Sequence, residues 1–367
     1  LDNADLAWLT QSGLPLALSK DIAKGGTLRF SQARQNQLSQ INWKLQSNHI
    51  DIATQFFASL RFAQTRADFM SSGQLELKVN QSQAVQPTFA LKDLTLKIFD
   101  VNAPTLKIEQ LLLSGAAHGA VDSWNGNFTL STKIDRIDLG TLTAHKMLIT
   151  IPMKASAQGD SWNIALAQPG QIQLNLSDNT KQFSIKHPLH LAITQLAFDG
   201  NQSNDDFSIK HQVDATLSPF SVWLTSQSAP IEVTIHPGKF ALSGQLNKDQ
   251  PYQAEGKWSG ATALLPQSQI KLENIAAAIS LGTKKRPLAQ LTIGKLHHLA
   301  TVPFFAPHSF SATINDKTKG KQHIYTLDVV GGLPNLTYFQ LNAEQNLSNG
   351  LGNLKFNLTP INFMPGG

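Results

Sequence analysis

The sequence holds no cysteine, so disulfides and thiolate metal sites are excluded, while the redox compartment stays open. Charge is scarce: Asp, Glu, Lys and Arg make up 15% of the residues, against roughly 25% in ordinary soluble chains. Ser, Thr, Asn and Gln take the place of the missing charge. That is not a disordered composition, and uncharged polar faces suit secreted and envelope β proteins. The 30 basic and 25 acidic residues leave a net charge of +5, with Lys scattered along the chain. Such a balance permits anionic lipid headgroups as partners and does not call for nucleic acid. Only three Tyr are present, too few for the aromatic girdles of an outer-membrane barrel. No stretch reaches the roughly 18 apolar residues of a membrane helix. No leader-like run precedes Asp5, and the chain is expected to be an internal fragment whose anchor lies elsewhere.

What is present is organised around two short turns. Asp122-Ser123-Trp124-Asn125 returns 38 residues later as Asp160-Ser161-Trp162-Asn163. Asp, Ser and Asn bond their own backbone in turns. Each copy then opens an alternating run: Trp124, Phe128, Leu130 and Ile134, then Trp162, Ile164 and Leu166. Alternation with period two marks a strand with one buried face. The unit therefore reads as a hairpin of roughly 40 residues that repeats. Gly256-Lys257-Trp258-Ser259-Gly260 is expected to be a weaker echo of the same turn, out of step with the 38-residue spacing.

Alternation governs most of the rest. Leu75, Leu77 and Val79 alternate with Glu76 and Lys78. Phe89 and Leu91 give way to Leu94, Leu96 and Ile98, a parity slip at Lys92-Asp93 that requires a bulge or turn. Similar sets include Ile172, Leu174 and Leu176; Ile231, Val233 and Ile235; Phe310, Ala312 and Ile314; and Leu354, Phe356 and Leu358. Residues 55–67 show competing helical spacing, residues 276–279 an ambiguous apolar run, 282–286 a basic turn, and 302–307 an exposed apolar loop. No composition shift marks a boundary, so one elongated domain over 1–367 is expected. If the repeat is two strands, each takes ~19 residues, the chain holds ~19 strands, and at about 4.8 Å per strand the sheet runs about 90 Å.

No catalytic constellation stands out, and neither enzyme activity nor a cofactor is expected. His187 with His190, and His297 with His298, point to opposite sides of a strand. No Gly-x-Ser-x-Gly elbow and no complete phosphate loop exist. The apolar strand faces then have two readings. They are the sealed cores of β-sandwiches, as in a secreted adhesin or glycan-binding protein, or one continuous face lines an open groove. In the groove reading the lining positions are Leu94, Leu96, Ile98, Phe128, Leu130, Ile172, Leu174, Ile231, Val233, Phe310, Leu354 and Phe356. Their neighbours Thr95, Thr129 and Gln173 face away.

The hairpin repeats, Trp-led strands and low charge together resemble the AsmA-like proteins of the Gram-negative envelope. The tail from Gly350 through Pro360 to Gly367 looks like the segment leading into the C-terminal domain of YdbH-type members. The resemblance implies a periplasmic protein anchored in the inner membrane, with a strongly bent, taco-shaped antiparallel β-sheet. That sheet would shield phospholipid acyl chains between inner and outer membranes, with an outer-membrane lipoprotein as partner. The anchor and C-terminal domain that the resemblance implies do not fall within these residues.

Overall fold

The computed structural model describes residues 17–18, 25–31, 38–46, 49–62, 65–78, 88–120, 122–202, 207–225, 230–248, 250–282, 287–303, 305–318, 323–333 and 336–359. The Trp8 region, most of the basic turn at 282–286, Phe304 and the tail 360–367 lie outside them. The described residues are all-β, with antiparallel pairing and no helix. Residues 55–62, where helical spacing competed, are strand. The chain divides into two compact units, Leu1–Ile172 and Gln173–Gly367.

Unit 1 contains β1 (Ala17–Leu18), β2 (Gly25–Ser31), β3 (Leu38–Gln46), β4 (His49–Phe62), β5 (Thr65–Lys78), β6 (Thr88–Ala103), β7 (Leu106–Ala120), β8 (Ser123–Asp138), β9 (Leu142–Gln158) and β10 (Ser161–Leu166). Each pairs with the next in a plain meander. The two Trp turns stand side by side: Trp124 opposes Ala157, which in turn opposes Trp162. The Gly159 amide donates to the Asp122 carbonyl at 2.7 Å, tying one turn to the other. Gly119 lies under Trp124 with φ +149°, and a Cβ there would come within 2.5 Å of the Trp124 Cα, so the close approach needs glycine.

The parity slip in β6 is a bulge. Leu91 opposes Leu75 and Leu94 opposes Gly115, with Asp93 extra at φ 52°. The extra residue returns Leu94, Leu96 and Ile98 to the face that holds Phe89 and Leu91. A second line of irregularities crosses the next strands at Asp100, Glu109, Asp135 and Lys146. Here too the apolar residues on either side, Ile98 and Val101, or Ile134 and Ile137, keep to one face. Asp tolerates the left-handed conformation better than most residues. Lys107 holds Asp135 at 2.8 Å beside the bulge.

Unit 2 continues from β11 (Gly170–Asp178), within which the division falls, through β12 (Phe183–Ile185), β13 (Leu189–Gln202), β14 (Phe207–Leu217), β15 (Phe220–Leu224), β16 (Ile231–His236), β17 (Lys239–Asn247) and β18 (Gln250–Leu265). The meander of β19 (Ile270–Leu281), β20 (Ala289–His298), β21 (His308–Asp316), β22 (Ile324–Leu333), β23 (Leu336–Asn346) and β24 (Gly352–Leu358) completes it. β18 pairs with both β16 and β17, β15 with β16, β14 with β17, β12 with β15 and β13 with β14. So β12 with β13, β14 with β15, and β16 with β17 are three long strands, each interrupted once. The interruptions fall at Lys186-His187-Pro188, Ser218-Pro219 and Pro237-Gly238, where proline removes a ladder donor. The run from Phe207 to Leu224 therefore has about the length expected from the repeat, cut in two by Pro219.

Trp258 does not open a turn. It lies inside β18, its ring stacked on Phe240 with centroids 5.8 Å apart, and its indole N–H donates to the Pro237 carbonyl. The following Gly260, at φ +72°, is a bulge between Trp258 and Ala261. The resemblance to the Asp-Ser-Trp-Asn turns is thus one of composition only.

Candidate functional site

Register fixes which side chains share a face. In unit 1, Ser71, Leu96, Leu113, Leu130 and Ile151 oppose one another in turn, as do Leu94, Gly115, Phe128, Met153 and Leu166. One residue out of phase runs a hydroxyl row of Ser72, Thr95, Ser114 and Thr129, which ends on Pro152. One side of the unit-1 sheet is therefore a continuous apolar field and the other is hydroxyl- and amide-rich. Leu94, Leu96, Ile98, Phe128 and Leu130 are brought together on the apolar side, joined across β7. Ile172 and Leu174 alternate with Gln171 and Gln173 on β11, half-buried.

Unit 2 repeats the arrangement. Ala215, Phe240, Trp258, Ala277, Leu291, Ala312, Val329, Leu341 and Phe356 form one row across it. The remaining expected positions fall on this face without converging. Ile231 and Val233 oppose Leu224 and Val222, Phe310 lies between Ile293 and Gly331, and Leu354 and Phe356 sit on β24 at 70% and 51% exposure.

None of the twelve lines an open apolar trough of about 650 Å³ in unit 2. Phe240, Leu242, Trp258, Ile279, Leu291 and Ile314 wall it, and Ala215, Gly256, Ala277, Ala289 and Ala312 leave its space. None of these residues was expected as a lining position, because small side chains dilute the alternation. The signal was nevertheless there in Ala276 to Ile279, whose run of alanines belongs to a strand that must carry low relief.

Neither apolar face is sealed to the depth of a two-layer core. Among the described residues the buried apolar side chains are Leu189, Ile193 and six alanines, and no large side chain is fully buried. Covering a sheet with a second layer would bury its Leu, Ile and Phe almost completely. Polar groups mark the margins of the unit-2 face. His211 and Tyr252 hydrogen-bond at 2.6 Å, Nε2 to Oη, with rings stacked 5.8 Å apart. At the other ends of the strands Phe305 packs between His298 and His308, and His308 in turn against Tyr338.

Charged chemistry is peripheral. The Lys271 ammonium beside Glu273, at 2.5 Å, holds that carboxyl below its ordinary range, and His297 lies 3.2 Å from its second oxygen. His297 and His298 take opposite faces, opposing Lys271 and Ile270. Among the described residues no cluster of three or more His, Asp or Glu has the geometry of a metal site, and no helix is long and apolar enough to cross a membrane. Compared with known proteins, the chain matches no family model, no curated protein and no solved structure.

Proposed function

We propose that this chain is a lipid conduit, a non-enzymatic β-sheet whose open apolar face carries phospholipid acyl chains between the inner and outer membranes. The observation that supports this reading is that each unit carries a continuous apolar face while no large side chain among the described residues is fully buried. Burial of a methylene is worth about 0.8 kcal/mol, so exposing a sixteen-carbon chain to water costs roughly 12 kcal/mol. An uninterrupted apolar track removes that barrier along its length without nucleotide hydrolysis. The bulges and breaks support a bent sheet, because each lets a strand turn while its apolar residues stay on one side. In this reading the sheet is an elongated groove of the AsmA-like kind, periplasmic and anchored to the inner membrane in the full-length protein, with an outer-membrane lipoprotein at its far end. A sealed adhesin-like sandwich is disfavoured by the half-exposed Leu, Ile and Phe of both faces.

The test is occupancy by face. Photo-crosslinking residues at Leu96 and Leu130 should capture phospholipid from the bacterial host, and those at Thr95 and Thr129 should not. Equal capture at both parities, or lipid-free protein after detergent-free purification, removes the reading.

A further inference from the structure

The strands of unit 2 end, on one side, in segments without charge. Residues 266–269, 299–303 and 305–307, Leu333 with Leu336, and the end of β24 contain no Asp, Glu, Lys or Arg. They are contiguous: the Leu299 amide donates to the Gln269 carbonyl at 2.7 Å, His308 packs on Tyr338, and the Thr359 amide donates to the Tyr338 carbonyl at 2.7 Å. Their outermost apolar side chains are also exposed, Leu299 by 47%, Val302 by 68%, Leu336 by 50% and Leu358 by 59%. Behind them lies the belt of His298, Phe305, His308 and Tyr338. Of the nearest carboxylates, Glu273 is set back on β19 and engaged by Lys271 and His297, whereas Glu232, whose amide donates to the Gln267 side chain, borders the 266–269 turn.

From this layering we infer that the rim is a bilayer-docking edge, which inserts Leu299, Val302, Leu336 and Leu358 into the interfacial region of a phospholipid membrane. An uncharged apolar tip backed by amphipathic rings matches the membrane–water boundary, where Tyr and imidazole sit at headgroup level with their bodies in hydrocarbon. The opposite ends of the strands differ, for although Leu347 and Leu351 are exposed there, Asp316, Lys317 and Glu344 stand among them. The inference rests on the conduit reading, since the rim closes one margin of the apolar face and would let acyl chains pass sideways between that face and a bilayer.

Vesicle flotation of the whole 367-residue chain tests it. Vesicles of phosphatidylcholine alone, and of phosphatidylethanolamine with phosphatidylglycerol, should both carry the protein upward, and high salt should leave the binding in place, because insertion rather than charge drives it. Leu299→Asp with Val302→Asp should reduce binding on the order of tenfold or more, as losing the burial of one such side chain alone is worth about that factor. The matched pair Leu347→Asp with Leu351→Asp should bind as the wild type does. An environment-sensitive dye on Val302→Cys should shift to the blue on adding vesicles. No flotation, flotation only on anionic vesicles and lost in salt, or equal binding by both double variants would overturn the docking edge. A rim that binds a protein rather than lipid would show as the first of these outcomes. Lipid retained on the apolar face, read by extraction and mass spectrometry of the same preparations, reports separately on the conduit, and the rim variants should leave it unchanged.

Discussion

Unit 1 and unit 2 solve one problem with different residues. A strand of sixteen or so residues cannot stay flat beside its neighbours, because strands twist, yet a one-residue slip would turn its apolar side chains to the wrong face. Unit 1 keeps its strands whole and inserts single residues in the left-handed region, Asp93, Asp100 and Lys146. Unit 2 cuts three of its strands at proline, uses Gly238 where the backbones crowd and Gly260 at a bulge of positive φ, and adds one left-handed insertion of the unit-1 kind at Asn274. Both devices preserve the apolar face. What is selected is therefore the continuity of the face rather than the regularity of the strand.

The largest effect should come from breaking that continuity without touching a bulge. Deleting Thr129 makes Phe128 and Leu130 neighbours, so one half of β8 must present its apolar residues to the Ser- and Thr-rich side. Circular dichroism and solubility should show loss of folded protein. Deleting Asp93 removes a residue of similar size but heals the ladder, because Lys92 already opposes Gln74 and Leu94 then opposes Gly73 in regular order. The protein should fold, with stability changed by no more than about 1–3 kcal/mol, the cost of one residue held in the left-handed region. Equal damage from the two deletions would end the account of Asp93 as a parity corrector.

A second contrast compares the bend residues themselves. Gly238→Ala places a Cβ 2.1 Å from the Ser259 carbonyl oxygen at φ +71°, and nothing but backbone lies there to give way. A loss of about 2–4 kcal/mol is expected, from strain plus a displaced strand, and it should be confined to unit 2 in hydrogen exchange. Asp93→Gly should instead be neutral or stabilising by up to about 1 kcal/mol, since glycine takes the left-handed region without penalty.

A third contrast puts the same lesion in both units. Leu130→Asp in unit 1 and Leu174→Asp in unit 2 replace half-buried residues of alternating apolar sets. Because water reaches both positions, each should cost only about 1–2 kcal/mol, the lost burial of part of a leucine. Bound lipid should fall at both. Unfolding at either site would identify an ordinary sealed core, where an unpaired carboxylate is far more costly.

The β class, the hairpin built on each Asp-Ser-Trp-Asn turn and the bulge at Lys92-Asp93 were all legible in the sequence, because alternation and its slips are local. Face membership was legible too: each set of Leu94 with Leu96, Phe128 with Leu130, or Leu354 with Phe356 keeps one side of its strand. The trough was not. It depends on which strands lie beside Gly256, Ala277 and Ala312, and small residues carry no alternating signal of their own. Trp258 misled for a related reason, since a Gly-Lys-Trp-Ser-Gly string reads as a turn until Phe240 is found stacked against its ring. Composition named the residues, but partners on neighbouring strands decided what they do.

The smallest effect separates the units by how each holds an aspartate at a bend. In unit 2 Asp178 closes the turn from β11 to β12. Its carboxylate accepts from the Thr180 hydroxyl at 2.6 Å and from the amides of Thr180, Gln182 and Phe183 at 2.8, 2.6 and 3.0 Å. In unit 1 Asp135 is held by the Lys107 ammonium. Both carboxyls lie below their ordinary range, Asp178 first through the Thr180 hydroxyl and Asp135 first through the Lys107 hydrogen bond. A carboxyl depressed in the folded state adds stability above its unfolded value of about 3.9 and loses it as the pH falls through the folded value. Amide exchange in residues 179–185 and around 135 should therefore quicken only below about pH 4. Salt should distinguish the two. The Asp135 effect should shrink as ionic strength screens an exposed ion pair, whereas Asp178, held by neutral donors, should not respond. Asp178→Ala should bring the low-pH exchange of Gln182 and Phe183 to neutral pH, and an unchanged pattern in that variant would mean the carboxylate does not hold the turn.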